Sequence, residues 1–169
     1  MVPERVPIRP ATRARSDRGW IWIALALQLV GYVVDAVWHG LLGPSAEPTT
    51  VAEMARHLRT VHALLYLGVA CVLITTFRAL VHQVTSPSGP DGWRPASRVA
   101  LSVAFAGAVL SAATEAWHAY SHMHLDTHHA PLAGSLSVVG YLVAVAGTIW
   151  AGRRERRRGQ ESLARQRAA

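Results

Sequence analysis

Long apolar runs alternate with short polar segments along the chain, and each run is about as long as a bilayer-crossing helix. Four of them, 20–42, 61–80, 99–120 and 131–151, reach the roughly 20 residues needed to span about 30 Å of hydrocarbon. Two Pro/Gly-bearing loops, 42–50 and 86–95, and a short His-rich turn, 121–130, separate them. The ends, 1–19 and 152–169, are rich in arginine and read as frayed tails. No repeat with a period of 20–50 residues is present. The pattern predicts an all-α protein, an integral membrane four-helix bundle flanked by two basic tails.

Two features refine this layout. The apolar run of the first span is far longer than the 7–15 residues of a signal-peptide core, and it carries Gln28, Asp35 and His39, so an uncleaved helix is expected. Thr50 followed by Glu53 has the capping-box spacing, and no Gly or Pro interrupts the chain from Val51 to Leu67. Helix two is therefore expected to begin near Val51 and to run continuously into the membrane. Its first turns would be a water-exposed, amphipathic N-terminal extension. His57 shares a face with Glu53 on this extension; five residues from His62, it diverges from it by about 140° on a straight helix. His57 is thereby expected to point away from His62.

Composition agrees with the membrane reading. The chain is 51% hydrophobic and only 16% charged, where soluble domains carry about 25% charge. Its single cysteine, Cys71, rules out an internal disulfide and a thiolate-pair zinc site. There is no lysine, so all 17 basic residues are arginine. With four spans, fifteen of them fall on one side, leaving only Arg56 and Arg59 on the other. The excess of positive charge marks the cytoplasmic side, so both the N- and C-termini are expected to be cytoplasmic. The setting read from this is a bacterial cytoplasmic membrane. The tails are expected to touch anionic lipids; no aromatic or base-reading pattern interleaves their charges, so nucleic acid is not expected as a partner. A homo-oligomer or a larger membrane complex is compatible with so small a chain.

The nine histidines carry the remaining information. Asp35 lies fifteen residues after Trp20 and Glu115 sixteen after Val99, which puts both roughly 22–24 Å from the cytoplasmic boundary. His39 and His118 stand about one turn further out. His62 opens span two on the same side, with His57 beyond it, and His122, His124, His128 and His129 fill the outer turn. Only His82 falls on the cytoplasmic side. Gln28, Tyr32, Asp35 and His39 are spaced 4, 3 and 4, and so are Ser111, Glu115, His118 and His122. Each set forms one helical stripe. A carboxylate in hydrocarbon is costly unless it turns inward to a partner, so both stripes are expected to face the bundle interior. Span two adds His62 and Tyr66. Span four offers Ser137, Tyr141 and Thr148, and is expected to close the bundle without supplying a ligand.

The inward set is Asp35, His39, His62, Glu115, His118 and His122, an N/O donor set suited to a transition metal such as Fe, Cu or Zn. Tyr32, Tyr66 and Gln28 are candidates to hold these ligands in place. Glu115 and His118 have the Glu-x-x-His spacing of di-iron bundles, but it occurs once rather than twice. One mononuclear site or an asymmetric pair of ions therefore fits better than a symmetric di-iron centre. Haem b, held by His62 and His118 with room made by Gly31, Gly68 and Gly107, is the competing cofactor. A metal-free polar network is the third reading. A proton path through the membrane would need polar groups in the inner half of the spans, which offers little beyond Cys71, Thr75, Thr76 and Ser102. The tract 115–131 lacks the three-box histidine pattern of membrane desaturases, and no family is assigned from motifs. No catalytic residue is identifiable. The function expected is metal binding near the extracytoplasmic face. It extends to a metal-dependent oxidoreductase or hydrolase acting on a lipid-soluble substrate. The alternatives are a haem b cytochrome and a non-catalytic metal-binding accessory subunit of a membrane complex.

Overall fold

A computed structural model describes residues 10–42, 48–85, 95–125 and 130–168, and these are all-helical. Helix α1 (Pro10–Val37) ends in one π-helical turn, Trp38–Leu42. A short helix α2 (Val51–Thr60) precedes α3 (Ala63–Thr85), and α4 (Pro95–Met123) and α5 (Ala130–Ala168) complete the chain. Four stretches are long and apolar enough to cross a membrane: Asp17–Leu41, Ala63–Thr85, Ser97–Met123 and Pro131–Ala168.

Helices adjacent in sequence pack on one another, α1 on α3, α3 on α4 and α4 on α5, whereas α1 and α5 meet at only a few points. Small residues permit the tight crossings. A Cβ at Gly68 would lie 2.4 Å from the Gln28 Cα, and one at Gly31 would lie 2.5 Å from the Leu65 Cα, so α1 and α3 touch backbone to backbone. Gly107 and Gly140 do the same for α4 and α5. The core of the inner half is small and aliphatic: Ile21, Leu25, Val72, Ala104, Ala108 and Ala144 are buried. Ile23, Val30, Ile74, Phe77 and Leu142 point outward and are exposed. An exterior this apolar suits lipid rather than water.

Two expectations about the elements are corrected. The basic ends do not fray among the described residues: α1 begins at Pro10 and α5 continues to Ala168. Arg, Glu, Gln and Ala are good helix formers, and each tail only propagates a helix already nucleated within the span. The extension of helix two does start at Val51, with the Thr50–Glu53 capping box formed in both directions. It is not continuous with the span, however, because the helix breaks at Val61–His62. The Thr60 hydroxyl donates back to the carbonyls of Arg56 (3.0 Å) and His57 (3.2 Å), a bonding mode that bends helices. The break also has a cause in the pattern: α2 is amphipathic and α3 opens on a long apolar run, so their axes favour different directions relative to a membrane.

At one end of the bundle, ion pairs join the helices. Arg18 meets Glu155 at 2.8 Å, linking α1 to α5, and Asp17 meets His82 at 2.9 Å and Arg78 at 3.6 Å, linking α1 to α3. The histidine cluster lies at the opposite end.

Candidate metal centre

A hydrogen-bonded layer of neutral polar groups supports the site from below. Gln28, only 1% exposed, donates from Nε2 to the Ser111 hydroxyl at 2.8 Å and to the Tyr32 hydroxyl at 3.1 Å. Tyr32 and Ser137 pair at 2.6 Å, and Ser111 and Ser137 at 3.0 Å. The polar stripes of α1 and α4 thus face each other, with α5 contributing Ser137 to the same layer.

Above it the imidazoles converge. His62, fully buried at 0% exposed, stands at the centre, its ring centroid 4.9 Å from that of His57, 5.5 Å from those of His118 and His122, and 5.7 Å from that of His39. Its Nε2 lies 3.1 Å from the His57 Nε2, and its Nδ1 lies 3.1 Å from the Asp35 Oδ1. The Asp35 Oδ1 is also 3.6 Å from the His39 Nε2. His118 and His122 bring their Nε2 atoms to 3.0 Å. Two groups of three have ligand atoms all within 4.8 Å of one another: His39, His57 and His62, and His62, His118 and His122. Tyr66 stacks on His62 at 5.7 Å.

Several buried atoms here lack a hydrogen-bond partner. The Asp35 Oδ1 and the His62 Nδ1 approach closely but off the line of a hydrogen bond, and the His122 Nδ1, Glu115 Oε2 and Tyr66 hydroxyl are likewise unsatisfied. Leaving buried polar atoms unpaired costs roughly 1–3 kcal/mol each, so such a concentration marks a place built for something further. A cation among neutral imidazoles and carboxylates answers that need.

Of the residues expected from sequence, His39, His62, His118 and His122 are brought together, and Asp35 touches two of them. Glu115, 3% exposed, lines the same cavity as Asp35, His118 and His122. His57 corrects the sequence reading: it does not point away from His62 but meets it ring edge to ring edge. The bend at Val61–His62 removes the angular separation that a straight helix would impose. Burial, followed by the nearby His39 and His118, holds the His57 pKa below the usual imidazole value, leaving the ring neutral and able to ligate. Trp38 packs on it with centroids 4.2 Å apart. Glu53 is occupied elsewhere: its Oε2 accepts from the Thr49 N–H (3.1 Å), the Thr49 hydroxyl (3.2 Å) and the Thr50 N–H (3.2 Å). His124 is exposed, and its Nδ1 pairs with the Tyr120 carbonyl at 2.9 Å. His128 and His129 lie outside the described residues. Gly31 and Gly68 are filled against neighbouring backbone, and Gly107 against Ala144, so all three serve helix contact rather than space for a macrocycle.

A cavity of about 490 Å³ opens beside the imidazoles. Asp35, His39, Glu115, His118 and His122 form one wall, and Pro131, Gly134 and Val138 of α5 the other. It lies where α1 and α5 part. A second cavity, of about 430 Å³, is lined by Trp38 of the π-helical turn and by Glu53, Arg56 and His57 of α2. Comparison with known protein families, with curated proteins and with solved structures finds no match to this chain.

Proposed function

We propose that this chain is an integral membrane protein that binds a transition metal at a His/carboxylate centre near the extracytoplasmic face. One observation carries the reading: five imidazoles from four separate segments form two groups of three, joined at His62, each with its ligand atoms within 4.8 Å of one another, beside unpaired buried carboxylate and imidazole atoms. Neutral nitrogen donors with carboxylate oxygens suit Fe, Cu or Zn. The adjoining cavity falls within the usual size range for small-molecule sites and opens between helices whose outer faces are apolar. That supports the further reading of a metal-dependent oxidoreductase, or a hydrolase, acting on a lipid-soluble molecule that enters between α1 and α5. A non-catalytic metal-binding subunit of a larger membrane complex is the competitor, and the cavity beside the ligands weighs against it.

The test is metal analysis and an absorption spectrum of tag-free protein purified in mild detergent. Stoichiometric transition metal is expected in the wild type, with its loss in His62→Ala while helical content is retained. A Soret band that disappears in His62→Ala and His118→Ala would replace this reading with the haem alternative. Wild-type protein that neither retains nor takes up metal would overturn it.

A further inference from the structure

The donors at this centre exceed what one ion uses, and they fall into two groups rather than one. A four-coordinate ion with nitrogen ligands at 2.0–2.1 Å sets neighbouring ligand atoms about 3.3 Å apart. Two separate imidazole pairs come near that spacing: His57 with His62 at 3.1 Å, and His118 with His122 at 3.0 Å. His62 is the one residue common to both groups of three. It is also placed to serve both, because its two ring nitrogens face different partners: Nε2 faces His57, and Nδ1 faces Asp35, which lines one cavity with Glu115, His118 and His122.

Charge and satisfaction point the same way. Two dications so close, at membrane depth, need anionic compensation. The Asp35 Oδ1 lies between His39 and His62, and Glu115, one turn before His118, keeps a buried oxygen unpaired. The buried His122 Nδ1 is unpaired as well. An ion in the first group alone would leave Glu115 and His122 unanswered. An ion in the second alone would leave His39 and His57, their rings near perpendicular with centroids 5.4 Å apart, with no ion of their own.

Resting on the metal-binding reading, we propose that the centre takes two transition-metal ions, one held by His39 and His57, the other by His118 and His122, with His62 giving up its ring N–H proton to solvent on metal binding and bridging them through its two nitrogens. Asp35 lies between the two ions and Glu115 faces the second. The cavity between α1 and α5 then abuts the centre along Asp35, His39, Glu115, His118 and His122, and the cavity between the π-helical turn and α2 abuts it at His57.

Zinc stoichiometry tests this. Tag-free protein in detergent is stripped with chelator and titrated with zinc alone, and bound zinc is counted after gel filtration. Two zinc ions per chain are expected in the wild type, one in His57→Gln and one in His118→Gln. His62→Gln should weaken both sites by at least ten-fold. Loading with Cu(II) gives a second readout: the wild type should show the attenuated electron paramagnetic resonance of a coupled pair, and His57→Gln the full signal of an isolated ion. A wild type that saturates at one zinc would overturn the two-ion proposal while leaving the metal-binding reading intact. So would loss of all zinc from both His57→Gln and His118→Gln with their folds retained. A wild type that takes up none would remove both.

Discussion

At the scale of single residues, the two carboxylates separate the readings of this site most sharply. Glu115 is buried with one oxygen unpaired, and Asp35 touches His62 and His39 without a hydrogen bond to either. If they face cations, Asp35→Asn and Glu115→Gln keep the shape but remove the charge that offsets the metal. Zinc affinity is then expected to fall by at least about ten-fold in each, while helical content and elution behaviour persist. A metal-free polar network predicts the reverse, since neutral amides would relieve buried charge and raise thermal stability. Competition with a chromophoric chelator measures the first outcome, and unchanged affinity in both variants would remove the carboxylates from the centre. Most of this residue-level picture is legible in the sequence, because the 4, 3, 4 spacing of Gln28, Tyr32, Asp35 and His39, and of Ser111, Glu115, His118 and His122, is a property of a single helix. His57 was not legible in the same way. Its place depends on the angle between two helices, and periodicity along one helix carries no information about that angle.

At the scale of elements, α2 is the part whose formation the centre depends on and whose own stability is smallest. It is ten residues long, too short to persist in water without its cap and its contacts. The Thr50 hydroxyl accepts the Glu53 N–H at 3.2 Å, and losing such a cap costs about 1 kcal/mol, a factor of roughly five in an opening equilibrium. Thr50→Ala should therefore lower hydrogen-exchange protection across 54–60 about five-fold, and Thr50→Ser should restore it. Unchanged protection in Thr50→Ala would mean that packing of Met54 and Leu58, not the cap, holds α2 in place. Acid should act on the same element. The Thr49 N–H, then the Thr49 hydroxyl and Thr50, hold the Glu53 carboxyl below the usual glutamate range. The contribution of a group so lowered is complete above its unfolded pKa and is lost as pH falls through the folded one. Protection over α2 should thus be full above the ordinary glutamate pKa and decline progressively as pH falls from there through the lowered folded value. The cap was written in Thr50-x-x-Glu53 and the start at Val51 followed from it. The break at Val61–His62 had only an indirect signal, the change from an amphipathic to a mainly apolar pattern, because no Gly or Pro marks it.

At the scale of the whole molecule, the two ends of the bundle differ in kind, and this gives orientation a physical test. One end holds Asp17, Arg18, Arg78, His82 and Glu155 in ion pairs, together with the arginines that open α1 and extend α5. These pairs are partly exposed and contribute little stability each, so their value lies in fixing how α1, α3 and α5 sit against one another. The other end holds the imidazoles, the capped α2 and only Arg56 and Arg59. Because each of the four long helices begins at one end and finishes at the other, the ion-paired end and the histidine end must lie on opposite faces of any membrane the bundle crosses. On the arginine excess, the first is proposed to face the cytoplasm. A reporter active only in the cytoplasm should therefore give signal when fused after Arg167 and none when fused after Pro48, just before α2. Signal at Pro48 with none at Arg167 would invert the molecule and bring the histidine centre to the cytoplasmic side, where the metal would be drawn from a different pool. Equal signal at both would mean that one of α3, α4 and α5 does not cross, since three spans separate the two fusion points, and the four-span reading would fail. The inner network of Gln28, Ser111, Tyr32 and Ser137 ties α1, α4 and α5 together at one level, so the arrangement expected is the one in which both fusions report opposite sides.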